Sequence, residues 1–265
     1  MAYPLPETLT PSKISRFVSC PLAFRYSYIE RLPEPSTIHQ VRGTLVHRAL
    51  QLLYSGHTPD ERDLDTAGTA LETAWSEIVT SDEFASVGLS EDASATLRRE
   101  ASQLMERYFA IENPSSVHPV GLEIDLRATV DGVELRGIID RLDHLDGDGF
   151  AIVDYKTGRA PRADQSRARL AGLHFYAFLC EEVLGRRPSE IRLIYVRDRV
   201  VVVESPTDQS TRAQRQRTLA IWRAIERACE TGDFRPNPSR LCDWCTFKSH
   251  CPAFAGAPEL ASAAG

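Results

Sequence analysis

The sequence predicts an α/β protein, and two observations carry that reading. Short runs rich in apolar and β-branched residues, some alternating with polar ones, sit at 118–130, 133–145, 150–156, 191–196 and 200–203. Strand side chains alternate faces with a period of two, and the Asp-Gly pairs between some of these runs suit tight hairpin turns. Between and around them, 40–54, 168–184 and 208–230 place apolar residues at helical spacing.

The chain is organised around Gly137 to Gly158, GIIDRLDHLDGDGFAIVDYKTG. Gly137–Leu142 reads as one strand and Phe150–Lys156 as the next, with Asp146-Gly147-Asp148-Gly149 as their turn. Asp154 and Lys156 therefore share a face, and Tyr155 points away. Hairpin pairing brings Asp140 beside them. Two carboxylates at the end of an apolar strand suit a divalent cation, and an ammonium beside them can steady developing negative charge. One Asp-x-Lys on a solvated strand would look the same. It is the run Ile152-Val153 leading straight into Asp154 that marks a site rather than a surface.

The remaining elements follow in chain order. Thr10-Pro11 caps and starts a helix through Val18, which Cys20-Pro21 interrupts before Leu22–Ile29 continues. Residues 40–54 form a strong helix in which Gly43 and His47 stack on one side. Gly43 would admit a close neighbour, and His47 reads equally as a ligand or as a satisfied structural histidine. Residues 58–112 are acidic and mostly helical, with Leu71, Trp75 and Ile78 on one apolar stripe and Leu97, Leu104, Met105 and Tyr108 on another. Asp131-Gly132 is a second hairpin turn. Glu123, on the strand before it, reads either as a site residue facing Asp140 or as an arginine's partner. Leu170, Leu173, Tyr176, Ala177 and Leu179 line the buried side of the next helix.

Composition bounds the function. The chain has 265 residues, 42% hydrophobic and 26% charged, which suits a globular protein. No run approaches the ~18 apolar residues of a membrane span. Without an apolar leader at the N-terminus, a cytoplasmic location and no membrane partner are expected. The net charge of −6 is unevenly spread: residues 1–155 carry −12 and residues 156–251 carry +7. A basic second half suits a polyanion such as DNA, or else solvated helix faces.

Cys242, Cys245 and Cys251 supply three thiols in ten residues, and Cys20 is the fourth candidate. In an intracellular chain such a cluster points to metal rather than disulfides. Four thiolates hold either a tetrahedral zinc or an iron–sulfur cluster, and a compact triplet with one distant partner suits the cubane better. Trp244 and Phe247 are expected to shield it. Cys180 and Cys229 read as buried small hydrophobes.

Taken together, Ser19-Cys20-Pro21, Gly43-Thr44-Leu45-Val46-His47, Gly137-Ile138-Ile139-Asp140-Arg141, Asp154-Tyr155-Lys156-Thr157-Gly158, Tyr176 and the cysteine triplet resemble the RecB-type branch of the PD-(D/E)XK nuclease superfamily. The likeness is greatest to its iron–sulfur members, the AddB nuclease domain and the CRISPR-associated adaptation exonucleases. The resemblance implies a restriction-endonuclease-like fold, a mixed central sheet flanked by helices. It would occupy residues 1–254 as one nuclease domain, with Cys20 and 232–252 closing around a 4Fe–4S cluster (or Zn) and 255–265 as a disordered tail. It implies Mg²⁺ or Mn²⁺ held by His47, Asp140, Asp154 and the Tyr155 carbonyl, with Lys156 orienting the attacking water and Tyr176 contributing to the site. It implies an exonuclease on single-stranded DNA, in repair or recombination, working with a helicase or repair complex. One departure is Gly172, where relatives often carry Gln four residues before the helical tyrosine. That gap supports an alternative, an inactive DNA-binding or assembly module of the same fold.

Overall fold

A computed structural model describes residues 2–145, 147–161 and 166–254, with the backbone alone at 166–171. The expected turn residue Asp146, part of the basic loop after Lys156 including Gln165, the side chain of Leu170 and the tail 255–265 lie outside the described residues. The elements are α1 (Pro11–Ser19), α2 (Pro21–Phe24), α3 (Ile38–Gly56), α4 (Leu64–Ile78), α5 (Asp82–Val87), α6 (Glu91–Phe109), β1 (Pro119–Val130), β2 (Val133–His144), β3 (Phe150–Lys156), α7 (Ser166–Leu184), β4 (Glu190–Tyr195), β5 (Val200–Glu204) and α8 (Asp208–Thr231). The strands form one mixed sheet in the order β1-β2-β3-β4-β5. β3 runs antiparallel to β2 and parallel to β4, and β5 returns antiparallel to β4. The parallel step needs a long crossover, which α7 supplies. No helix among the described residues is long and apolar enough to cross a membrane.

The chain divides into two compact units. One comprises Pro35–Leu126 and Ile138–Thr207. Its core joins α3, α4 and α6 to one sheet face through Val41, Leu45, Val46, Leu71, Leu97, Leu104 and Tyr108 against Val153, Tyr155, Ile194 and Val196. α3 starts at a full capping box, in which Thr37 accepts from Gln40 N–H and the Gln40 side chain returns to Thr37 N–H. This fixes the register of the helix that carries His47.

Within that core lies a buried charge. Arg141 is 0% exposed. Its guanidinium donates to Asp143 at 2.8 Å through both Nε and Nη2, and to Glu112 at 3.0 Å. Nη1 also meets the hydroxyls of Tyr54 (3.2 Å), Tyr108 (2.9 Å) and Tyr155. A buried cation is tolerated only when paired and hydrogen-bonded, and here two carboxylates and three phenols do both. Burial pushes the Tyr54 phenol up to about 12, so it stays protonated and can share in the network.

The other unit is built from the first 34 residues, Arg127–Gly137 and the chain from Asp208 onward. Asp131 (φ 49°) and Gly132 (φ 81°) turn the expected hairpin, both in the left-handed region that such a two-residue turn requires. Leu9 bridges to β2, its N–H donating to Glu134 O at 2.7 Å and its carbonyl accepting from Arg136 N at 3.0 Å. α8 packs on α1 and buries Trp222, Ile225 and Cys229. Cys180, in the other unit, is equally buried, and burial pushes its thiol up to about 12; both cysteines behave as small hydrophobes.

Candidate active site

The site forms where β2 and β3 part. Their ladder runs from His144↔Phe150 to Arg141↔Val153. One residue farther, the Tyr155 N–H donates to the Asp140 carboxylate at 2.8 Å. A side chain thus takes over a hydrogen bond as the ladder ends, and it fixes Asp140 against β3. Tyr155 points its ring away from the site into the Arg141 network, as alternation predicts.

His47 comes in from α3. Its Nε2 donates to the Tyr155 carbonyl at 3.0 Å, and its Nδ1 lies 3.5 Å from Asp140 Oδ2. With one ring nitrogen on a carbonyl and the other on a carboxylate, both are best satisfied as donors. Burial opposes the imidazolium, but the hydrogen bond and charge of Asp140 raise the His47 pKa above its ordinary value. Gly43 does not play the close-approach role expected of it. A Cβ there would meet only Thr157 Oγ1, at an ordinary 3.6 Å.

Glu123 joins this group. Donor atoms of His47, Glu123 and Asp140 all lie within 4.8 Å of one another. Glu123 has a φ of 48°, left-handed backbone that interrupts the alternation of β1 and turns the side chain out of its regular sequence of faces. Strict alternation left the residue ambiguous; nothing in the sequence marks the irregularity.

Asp154 is not part of that trio. It is 8% exposed and lies against the Lys156 ammonium, yet its Oδ2 has no well-directed hydrogen bond among the described residues. Burial raises its pKa; Lys156 works against this and Asp140 with it. Asp140 is held below the usual carboxylate range despite burial, because His47 and the Tyr155 N–H stabilise its charge. Burial and then Asp140 raise Glu123. Burial works against the Lys156 ammonium, but Asp154 outweighs it and keeps the group charged. The Tyr176 phenol, on α7, is raised by burial and then by the charges of Asp154, Asp140 and Glu123. Gly172, one turn earlier, faces open space.

These donors fit a hard divalent cation: the carboxylates of Glu123, Asp140 and Asp154, the His47 imidazole and the nearby Tyr155 carbonyl. In metal-free protein, the stabilising contribution of protonated His47 is complete below its unfolded pKa of about 6.5 and fades as pH rises through the raised folded value. Cation binding needs the neutral ring, so affinity weakens as pH falls through that same value. Melting temperatures in EDTA from about pH 5.5 to 8.5 should therefore decline toward alkaline pH, more steeply than in His47→Gln. Parallel curves for the two proteins would remove His47 from this linkage.

In the other unit, Cys20, Cys242, Cys245 and Cys251 line one cavity of about 280 Å³. Among the described residues, no three of their sulfurs lie within 4.8 Å of one another. Backbone N–H groups of Asn237 and Ser239 point at the sulfurs of Cys20 and Cys242, at 3.5 and 3.3 Å. Phe247 is buried over the cavity as expected. Trp244 also lines the cavity but is 86% exposed among the described residues.

The family profile of the PD-(D/E)XK nuclease superfamily matches residues 8–252. The chain belongs to this superfamily. Its members use divalent metals, which agrees with the acidic pocket. The chain is also 27% identical over 163 residues to one of the subunits of the ATP-dependent helicase/deoxyribonuclease of Streptococcus mutans. That match covers 58% of this chain and only 14% of the relative. A solved structure from Eubacterium rectale, described as a candidate exonuclease, superposes with a TM-score of 0.56 at 11% identity, over 90% of this chain and 87% of that one. At that identity the likeness bears on the fold, and the mixed sheet with flanking helices is that of a PD-(D/E)XK nuclease.

Proposed function

We propose that this chain is a Mg²⁺- or Mn²⁺-dependent deoxyribonuclease that degrades single-stranded DNA from an end, in repair or recombination. The observation that carries the reading is the His47–Glu123–Asp140 trio beside the Asp154–Lys156 pair. His47, Asp140, Asp154 and the Tyr155 carbonyl would hold the cation, and Glu123 adds a fourth side chain. The cation, when bound, supplies Lewis acidity and lowers the pKa of a water. Lys156 holds an ammonium where negative charge develops on the phosphate, and orients the attacking water. Tyr176 presents a protonated phenol to the same space. The resemblance to RecB-type enzymes supports the preference for single strands and ends. The relative's description as part of a helicase/deoxyribonuclease supports a helicase partner. On α8, exposed Arg212, Arg223 and Arg227 recur at helical spacing and give that unit a cationic face for DNA.

We also propose that Cys20, Cys242, Cys245 and Cys251 hold a 4Fe–4S cluster. The four thiols lining one cavity, with backbone N–H groups aimed at two of them, support a bound metal group, and a compact triplet with one distant partner suits the cubane better than zinc. One preparation tests both proposals. Anaerobically purified protein should be brown, absorb near ~400 nm and contain iron. It should degrade end-labelled single-stranded DNA with Mn²⁺ and stop when EDTA is added. A colourless, zinc-containing protein replaces the cluster proposal. Brown protein that binds DNA but never cuts it favours the inactive assembly module.

A further inference from the structure

A second polar cavity opens just beyond Lys156. It measures about 340 Å³, and Arg42, Arg107, Arg197, His39, Glu100 and Thr157 line it. Three elements contribute guanidinium groups: α3, α6 and the chain leaving β4. Thr157 ties the cavity to the active site, being the next residue after Lys156 and lying against α3 at Gly43. Arg42, the residue before Gly43, is 9% exposed. It pairs with Glu100 at 2.8 Å and meets His39 at 3.3 Å, yet its buried Nε has no hydrogen-bond partner among the described residues. Arg107 Nη1 donates to the Arg197 carbonyl at 2.8 Å and so braces the segment that carries the third guanidinium.

Three guanidinium groups around one carboxylate leave an excess of positive charge. A buried donor without a partner is costly, and like charges gathered in one cavity repel. A tetrahedral dianion or a phosphodiester relieves both, because guanidinium presents its donors in the fork that phosphate oxygens accept. We propose that this cavity is a second phosphate subsite, and that it takes the backbone phosphodiester next to the one being cut. The inference rests on the nuclease reading of the neighbouring site. It gives the bound strand a fixed register: one phosphate at Lys156 and its neighbour among Arg42, Arg107 and Arg197.

Arg197→Ala tests it, because this half-exposed side chain can be removed while its carbonyl still receives Arg107. Binding is read by fluorescence anisotropy of a single-stranded 20-mer with hydroxyl ends, in a Lys156→Ala background with Mg²⁺, across a salt series. The Kd should rise about tenfold, and the slope of log K against log salt should flatten by about 0.7, the share of one phosphate on a single strand. In protein with Lys156 intact, hydrolysis of bis-p-nitrophenyl phosphate, which has one diester and no neighbour, should stay within about twofold of wild type. An unchanged Kd and slope overturns the subsite, as does an equal loss on the small diester. An effect seen only with a 5′-phosphorylated strand reassigns the cavity to a terminal phosphate and overturns the internal one. Arg197→Gln repeats each measurement if the alanine variant does not fold. Wild-type protein that cuts neither substrate defeats the nuclease reading alone, since the binding arm still reports on the cavity.

Discussion

Lys156→Ala is expected to slow DNA degradation by about 10²–10³-fold or more, the usual consequence of removing one preorganised charge from a hydrolytic centre. The ammonium is held in place by Asp154 and kept protonated by it, with Asp140 adding to the effect. On the proposed reading it would meet the phosphate as a fixed positive charge. DNA affinity should change little, since one cation among many contributes modestly to binding. Asp140→Asn should lose a comparable amount of activity for another reason. The amide oxygen can still accept from the Tyr155 N–H, which preserves the local backbone, but the negative charge that holds a cation is gone. Single-turnover cutting of end-labelled DNA, beside filter binding, separates the two quantities. A Lys156→Ala protein that cuts at the wild-type rate removes the lysine from the chemistry.

The second large effect is on stability. Arg141→Leu should cost about 3–5 kcal/mol, because it strands Glu112 and Asp143 beside three buried phenols without their cation. In a protein of this size that is about 10 °C in Tm. Arg141→Lys should fall between, since a single ammonium cannot reach acceptors arranged around a planar fork. The damage should extend to the active site. Tyr155 anchors in this network through its hydroxyl, while its N–H and carbonyl hold Asp140 and His47. Thermal melts and the Mn²⁺ concentration needed for half-maximal rate should therefore shift together across the two variants. An Arg141→Leu protein that melts like wild type would show the network to be redundant.

Much of this was legible in the residues, for local reasons. Alternation along Ile152–Lys156 fixed which side chains share a face, and Asp131-Gly132 announced its own turn. The helical stripe at 40–54 brought His47 to one side of α3. What escaped depends on distant partners or on backbone irregularity. An arginine in a strand ordinarily reads as surface; Arg141 is fully buried because Tyr54 and Tyr108 arrive from two helices and Glu112 from the turn after α6. Glu123 reads from sequence as either a site residue or an arginine's partner, and its left-handed backbone, which brings it to the site, leaves no mark in the sequence. Aromatic character places Trp244 and Phe247 at the cysteine cavity but does not say which of them is buried. The Arg42–Arg107–Arg197 cavity joins segments more than 150 residues apart, and no spacing rule connects them.

The unit that holds the cysteines is assembled from both ends of the polypeptide. The Tyr3 N–H bonds the Cys229 carbonyl, and the Tyr26 hydroxyl bonds the carbonyl of His250. Residues 2–34 therefore complete their packing only once the chain from Asp208 onward has been made, whereas the unit carrying His47, Asp140 and Lys156 has its whole chain by Thr207. A chain cut before residue 208 would keep the Leu9 bridge to β2 but leave Tyr3 and Tyr26 without the carbonyls of Cys229 and His250.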